Sequence, residues 1–274
     1  MFHTHLIDSL DLPELAPYRT MKRPVEHVAQ GIFVAEGDKV VHRLLESDFA
    51  VISVLLPEKR LAEYASALRT RPEDIPVYLV RNKHVLESLV GFAMFQGVMA
   101  VGKIPARVTL ADVFSHSSRP RLFVAVDGLT NSENLGVLVR NGTAFGAQAL
   151  IVGETCASPF LRRAVRNSMG AIFQLPVVEA ASLPATLHEL RARGVRCVAA
   201  HPQVRGRTIA QTDFTQDCCV VLGSEGNGLS AAVLEACDEA AAIPMAADVD
   251  SLNVSNAAAV FLYEARRQRD LRAR

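Results

Sequence analysis

Three short stretches of this chain carry side chains able to hold and process a small molecule. The first is Asn134-Leu135-Gly136, followed by Arg140. The second is Leu222-Gly223-Ser224-Glu225-Gly226-Asn227-Gly228. The third is Ile243-Pro244-Met245, with Ser251-Leu252-Asn253-Val254-Ser255 behind it. Glycines at 223, 226 and 228 permit left-handed backbone and let a ligand approach the main chain closely. Glu225 in their midst repels phosphate, so this loop suits a neutral or cationic ligand held by backbone N–H and C=O groups. Taken alone, it is equally an ordinary glycine-rich turn. Pro244 cannot donate to a strand ladder and marks a strand end or edge. Ser251 or Asn253 can cap the helix that follows, and Asn253 can instead bond a sugar hydroxyl. Arg140 follows the apolar run Val137-Leu138-Val139, where a charge needs a partner or a pocket. A structural ion pair and a functional guanidinium both meet that need.

The elements around these loops must set them at strand ends. Apolar strand-like runs at 122–126, 149–152, 173–178, 195–200, 218–222 and 241–243 alternate with helical periodicity at 135–145, 158–168, 183–193, 230–237 and 256–269. Continuous apolar strands between helices predict a parallel sheet covered on both faces. In such sheets ligands bind beyond the carboxyl ends of the strands. Asn134 is a candidate cap for the helix from Leu135, and Ser158, with Pro159 next, for the following one. The polar loop 127–134 lacks G-x-G-x-x-G, which argues against a dinucleotide site and a nicotinamide-dependent oxidoreductase. An earlier α/β series predicts strands at 32–36, 51–56, 77–80 and 98–101. Its helices run from a capping Asp38 through Glu46, over 61–68 and over 83–90. The expected plan is an arm at 1–20, a small α/β domain at 21–105, a Ser- and Pro-containing linker at 106–120, and a second α/β domain at 121–274.

Lys plus Arg and Asp plus Glu both number 29, so no global positive field advertises a nucleic acid. Arginines still cluster: Arg19 with Lys22 and Arg23; Arg162, Arg163 and Arg166; Arg205 and Arg207; and Arg266, Arg267, Arg269, Arg272 and Arg274. Each cluster is either a solvated face or a set of phosphate contacts. The cysteines at 156, 197, 218, 219 and 237 make no CxxC and have no His pair at ligand spacing, so no metal site is expected. Met1-Phe2-His3-Thr4-His5 lacks the basic and apolar regions of a secretory signal. No apolar stretch reaches the ~20 residues that span a bilayer. The expectation is a cytoplasmic protein without a membrane segment.

As a set, the three stretches resemble the motifs of the SpoU-type RNA ribose 2′-O-methyltransferases of the SPOUT superfamily. Asn134-Leu135-Gly136 with Arg140 is similar to the first motif, and Leu222-Gly223-Ser224-Glu225-Gly226 to the second. Ile243-Pro244-Met245 and Ser251–Ser255 are similar to the third. Ser168-Met169-Gly170-Ala171, before Phe173 and Pro176, is similar to a further segment. Asn141-Gly142 departs from the Thr and small residue common in the family. Residues 20–105 resemble the ribosomal-protein-like RNA-binding module of the L30e or L7Ae kind.

The resemblance implies a parallel-sheet SPOUT domain with a C-terminal trefoil knot, preceded by a small L30e-like α/β domain. It implies S-adenosyl-L-methionine, held in the knot by the main chain around Leu222, Gly223, Gly226, Ile243, Met245, Ser251 and Leu252. It implies that Arg140 activates or orients a ribose hydroxyl and neutralises the adjacent phosphate, and that Asn253 places the ribose. Glu225 then faces the sulfonium or Arg140, and Asn134 holds the start of the Arg140 helix or contacts RNA. The implied activity is 2′-O-methylation of structured RNA, rRNA or tRNA, by a homodimer formed through the knotted domain; the front module favours rRNA. The rival reading is a non-catalytic RNA-binding or ribosome-assembly protein on the same scaffold, against which Arg140, Glu225 and Asn253 speak.

Overall fold

The computed structural model describes residues 1–21, 23–82, 86, 89, 97–202, 207–246 and 250–272. In chain order its strands are β1 (Phe2–Ile7), β2 (Ile32–Glu36), β3 (Val51–Pro57), β4 (Ile75–Val80), β5 (Met99–Lys103), β6 (Leu122–Val126), β7 (Ala149–Val152), β8 (Val177–Glu179), β9 (Arg196–Ala200), β10 (Cys218–Leu222) and β11 (Glu239–Ala241). Its helices are α1 (Ala16–Arg19), α2 (Pro24–Ala29), α3 (Asp38–Leu45), α4 (Leu61–Arg69), α5 (Leu110–His116), α6 (Ser132–Ala144), α7 (Arg162–Asn167), α8 (Leu183–Ala192), α9 (Ala231–Ala236) and α10 (Val254–Arg272). They form two units: Met1–Ala106 with Ser158–Gln174, and Arg107–Ala157 with Leu175–Arg274.

The first unit is a mixed sheet ordered β1-β4-β3-β5-β2. The expected arm is part of this fold. β1 runs parallel to β4 from Phe2 opposite Ile75 to Ile7 opposite Val80, and Leu15, Tyr18 and Met21 are buried behind it. This strand escapes the hydrophobic pattern because it lies at the sheet edge and its His-Thr-His residues face solvent. The helix expected at 83–90 lies outside the described residues except for Leu86 and Leu89, both buried. Ser158–Gln174 was expected in the second domain and instead packs with this unit. Buried Glu36, at the end of β2, accepts from Arg162 and Arg166 of α7. Met169, in the Ser168–Ala171 segment, accepts from Arg43 of α3 through its carbonyl, at 2.6 Å. Ser158 caps nothing helical, because its hydroxyl accepts from Phe160 N–H and α7 starts only at Arg162.

The second unit is a six-stranded parallel sheet, ordered β11-β9-β10-β6-β7-β8. β6 and β10 are buried at every position, as strands covered on both faces must be. The strand expected at 173–178 is shorter: Ala171–Phe173 is a 3-10 turn, and the ladder begins only after Pro176, which has no N–H to give. The strand expected at 241–243 is Glu239–Ala241, ending before Pro244. The expected linker contains α5. Thr109 and Asp112 cap it reciprocally, and Leu110 and Val113 enter the core beside Phe123. From β6 the chain continues to β7 on one side, and from β10 to β11 on the other. The strand order therefore reverses between β6 and β10, where a crevice opens at the carboxyl ends. Among the described residues no helix is long and apolar enough to cross a membrane.

In the first unit, Asp38 is the first residue of α3 rather than its cap, which is Gly37 at φ +102°. Its carboxylate accepts from the Tyr64 hydroxyl and from Arg60, and these two hold it below the ordinary carboxylate range. Such a lowered group stabilises the fold above the unfolded value of about 3.9, and that contribution disappears as pH falls through the folded value. Asp38→Asn is expected to flatten the acid limb of the urea midpoint below about pH 4. An unchanged limb in denaturation curves across that range would remove Asp38 from it.

Candidate functional site

The three stretches meet at the β6/β10 reversal. Leu222 and Gly223 leave β10, Gly226 follows in the same loop, Ile243 and Met245 follow β11, and Ser251 and Leu252 precede α10. All seven line one open cavity of about 370 Å³, together with Glu225. That volume falls in the range of small-molecule sites. His201 and Pro202, just past β9, also line it, as do Ala257 and Phe261 of α10. The sequence reading missed these four. The strand-end rule that singled out the other loops points equally to His201, but nothing in its neighbours' types does.

The glycine loop is a narrow turn. Ser224 N–H donates to the Gly228 carbonyl at 3.1 Å and Gly228 N–H to the Ser224 carbonyl at 3.0 Å. Asn227 N–H donates to the Ser224 hydroxyl at 3.3 Å. Gly228 sits at φ +66°, a conformation glycine adopts freely. At Gly223 the reason for glycine is steric, because a Cβ there would lie inside the backbone of Gly228 and Leu229. Gly226 has no such need, since a Cβ there meets nothing. Its missing side chain leaves the cavity wall open.

Three of the four residues expected to act on a substrate form one hydrogen-bonded chain. Asn134 Nδ2 donates to Glu225 Oε1, and Asn253 Nδ2 donates to Asn134 Oδ1 at 3.2 Å. Asn134 is free for this because it does not cap α6. That role falls to Asn131, whose side-chain oxygen accepts from the N–H groups of Glu133 and Asn134. Asn253 takes the capping role and in addition bonds Asn134. Its Oδ1 accepts from Ser255 N–H at 3.0 Å and its carbonyl from Ala257 N–H at 2.9 Å, so it starts α10 while its amide nitrogen reaches Asn134.

Arg140 stands apart from this chain. Six residues beyond Asn134, it is turned about 240° around α6. It is exposed, lines no part of the cavity and makes no ion pair among the described residues. Leu135, Gly136, Leu138 and Val139 take the inward face and turn the guanidinium outward, so the structural ion pair is not found. No group of His, Cys, Asp and Glu among the described residues is placed to hold a metal ion. Burial pushes the thiols of Cys218 and Cys237 up to about 11 and about 12, which keeps them protonated at neutral pH.

Residues 121–263 match the sequence model of the SpoU rRNA Methylase family. An uncharacterized tRNA/rRNA methyltransferase of Mycobacterium bovis is 32% identical over 261 residues, 93% of this chain and 88% of the relative. The solved AdoMet-bound rRNA methyltransferase of Sinorhizobium meliloti superposes with a TM-score of 0.83 at 25% identity, over 96% of this chain and 98% of that one. A solved RNA 2′-O ribose methyltransferase superposes with a TM-score of 0.77 at 28% identity, over 98% of this chain and 99% of that one.

The two cavity glycines differ in a measurable way. Gly223→Ala must push the Gly228–Leu229 backbone aside and is expected to cost about 1–3 kcal/mol of unfolding free energy, while Gly226→Ala should change it by under about 0.5 kcal/mol. Denaturant titration of both variants checks the ordering, and equal costs would contradict the steric assignment.

Proposed function

Since the chain belongs to the SpoU rRNA methylase family, we propose that it methylates a ribose 2′-hydroxyl in a structured RNA, ribosomal rather than transfer RNA. Methyl transfer to RNA is the family's chemistry, and S-adenosyl-L-methionine is the cofactor. The observation that carries the reading is the convergence of loops from three distant parts of the chain on one cavity, with the Glu225–Asn134–Asn253 chain formed between them. The resemblance of this chain to a solved RNA 2′-O ribose methyltransferase supports the oxygen target. The resemblance of residues 20–105 to the L30e or L7Ae kind of RNA-binding module supports rRNA.

The residues present fit the cofactor. Main chain at Leu222, Gly223, Gly226, Ile243 and Leu252 offers N–H and C=O groups, and Phe261 and Met245 offer apolar surface. Glu225 adds a carboxylate suited to a cation. When bound, the cofactor supplies an electrophilic methyl on a positively charged sulfur. This chain's part is to place an oxygen in line with that methyl, and positioning alone lowers such barriers substantially. Asn253 and Ser251 place the ribose. A guanidinium donates hydrogen bonds and accepts none, so Arg140 serves by orienting the hydroxyl and balancing the adjacent phosphate rather than by taking a proton. We extend the reading to the family's C-terminal knot and to a homodimer. Val260, Tyr263 and Leu271 support the latter as an exposed apolar stripe along α10.

Arg140→Ala is expected to lower turnover by about 10²–10³, the scale for removing one preorganised electrostatic contact, while leaving cofactor affinity intact. Labelled cofactor, total RNA and mapping of the modified nucleotide test the whole reading. A methylated base, or RNA binding without transfer, would overturn it, and the second result would favour the non-catalytic rival. Replacing Tyr263 by Glu should shift sedimentation from dimer to monomer.

A further inference from the structure

The methyl-transfer reading leaves one buried hydroxyl and one amide without a task. Ser255, in the first turn of α10, is 5% exposed. Its N–H and its Oγ–H both donate to Asn253 Oδ1, at 3.0 and 2.6 Å. Two donors aimed at one terminus of an amide require that terminus to be oxygen. A flipped Asn253 would set its NH2 against them. The Asn253 nitrogen must therefore face Asn134. Asn134 accepts there through Oδ1, so its own nitrogen must face Glu225. The sense of both amides is thus fixed from both ends, by Ser255 at one and by the acceptor-only Glu225 carboxylate at the other.

Asn141 holds the other side. It lies seven residues beyond Asn134, which returns it to within about 20° of the same face of α6. Its Nδ2 donates to the Ser255 carbonyl at 2.8 Å. α6 therefore grips the start of α10 at two points, Asn134 on Asn253 and Asn141 on Ser255. Arg140 is the residue next to the second grip. Neither Ser255 nor Asn141 lines the cavity.

We infer that Ser255 and Asn141 are positioning residues for methyl transfer: Ser255, with Glu225 at the far end, holds the Asn253 and Asn134 amides in one sense, and Asn141 fixes the Arg140 turn of α6 against the start of α10. The inference rests on the methyl-transfer reading of this site. Its chemical consequence is specific. With the sense fixed, the second Nδ2 hydrogen of Asn253 is left to donate while its Oδ1 is taken by Ser255, so at Asn253 the site offers an incoming ribose oxygen a donor rather than an acceptor.

The test uses the full chain with Ser255→Ala, Ser255→Thr, Asn141→Ala, Glu225→Gln and the double variant Ser255→Ala/Glu225→Gln. Loss of one neutral hydrogen bond that orders the site should lower kcat by about tenfold while KM for S-adenosyl-L-methionine moves less than about twofold. Ser255→Thr keeps the hydroxyl and should recover most of the rate. The double variant should lose less than the product of its two single losses, because both act through one chain. Unchanged kcat in Ser255→Ala and Asn141→Ala, or strictly multiplicative losses, would overturn the inference. Side-chain amide spectra of the 15N-labelled protein give a readout independent of turnover. The Asn253 and Asn134 signals should shift or broaden together in Ser255→Ala, and their persistence unchanged would overturn the inference. If the unaltered chain methylates no RNA, the methyl-transfer reading fails and the spectra alone decide whether Ser255 sets the amides. Should Ser255→Ala not fold, Asn141→Ala and Ser255→Thr carry the same kinetic comparison.

Discussion

The site depends on one alignment: β10 lies beside β6 in register, so that Leu222 stands opposite Val126. Both strands end level, and the loops that leave them meet beside the cavity, which the β10 loop lines and the β6 loop does not. The glycine loop then folds back on itself so tightly that Gly223 touches the backbone of Gly228 and Leu229, with no room for a side chain. That turn presents Glu225 towards α6, where Asn134 meets it. Asp127, just past β6, accepts from Ser230 N–H at 2.8 Å and ties the same two loops from the other side of the turn. A strand register and a backbone contact thus place every polar group that follows.

The polar chain joins positions 134, 225 and 253, which are far apart in sequence and come from three separate connections. Each hydrogen bond contributes on the order of 1 kcal/mol. The larger consequence is directional. An amide has a donor end and an acceptor end, so a chain of two amides ending on a carboxylate has one consistent arrangement. Glu225 can only accept, Asn134 must then donate to it, and Asn253 must donate to Asn134. The cavity wall contributed by Ser251 and Leu252 and the wall contributed by the glycine loop are held together by this order rather than by packing alone.

Much of this was legible in the residues, and the parts that were not share a cause. Leu122–Val126 and Cys218–Leu222 are buried on both faces, and such strands write themselves as unbroken apolar runs. β1 is an edge strand with exposed His3, Thr4 and His5, so its sequence looks like a tail. α5 hides among Ser and Pro because only Leu110 and Val113 face inward over a short helix. Asn134 resembled a cap since the apolar run starts at Leu135, yet Ser132, Glu133 and Asn134 already form a polar first turn behind Asn131. Arg140 looked buried because Val137, Leu138 and Val139 are consecutive, and three consecutive apolar residues conceal the phase of a helix. Pairwise orientation of amides, as between Ser255 and Asn253, leaves no periodic trace at all.

The zero net charge of the chain has a local meaning for RNA. Several arginines that a sequence reading assigns to phosphate are already engaged. Arg162 and Arg166 meet buried Glu36, and a carboxylate so enclosed cannot lose its partners cheaply. Arg269 donates to the carbonyls of Pro120, Arg121, Phe214 and Gln216 and serves the fold. Arg205 and Arg274 lie outside the described residues. Arg267 pairs with half-buried Glu264 within α10, and Arg266 with Asp270 in an exposed pair of the kind worth at most about 1 kcal/mol, which a phosphate can displace. Arg140 differs from all of these. It stands outward on the helix that Asn134 and Asn141 hold against the cavity wall, with no carboxylate among the described residues to release before a phosphate can bind. Under the proposed function, a backbone phosphate of the RNA substrate is the counter-charge for this position, and recognition of RNA and alignment of its ribose then converge on one residue.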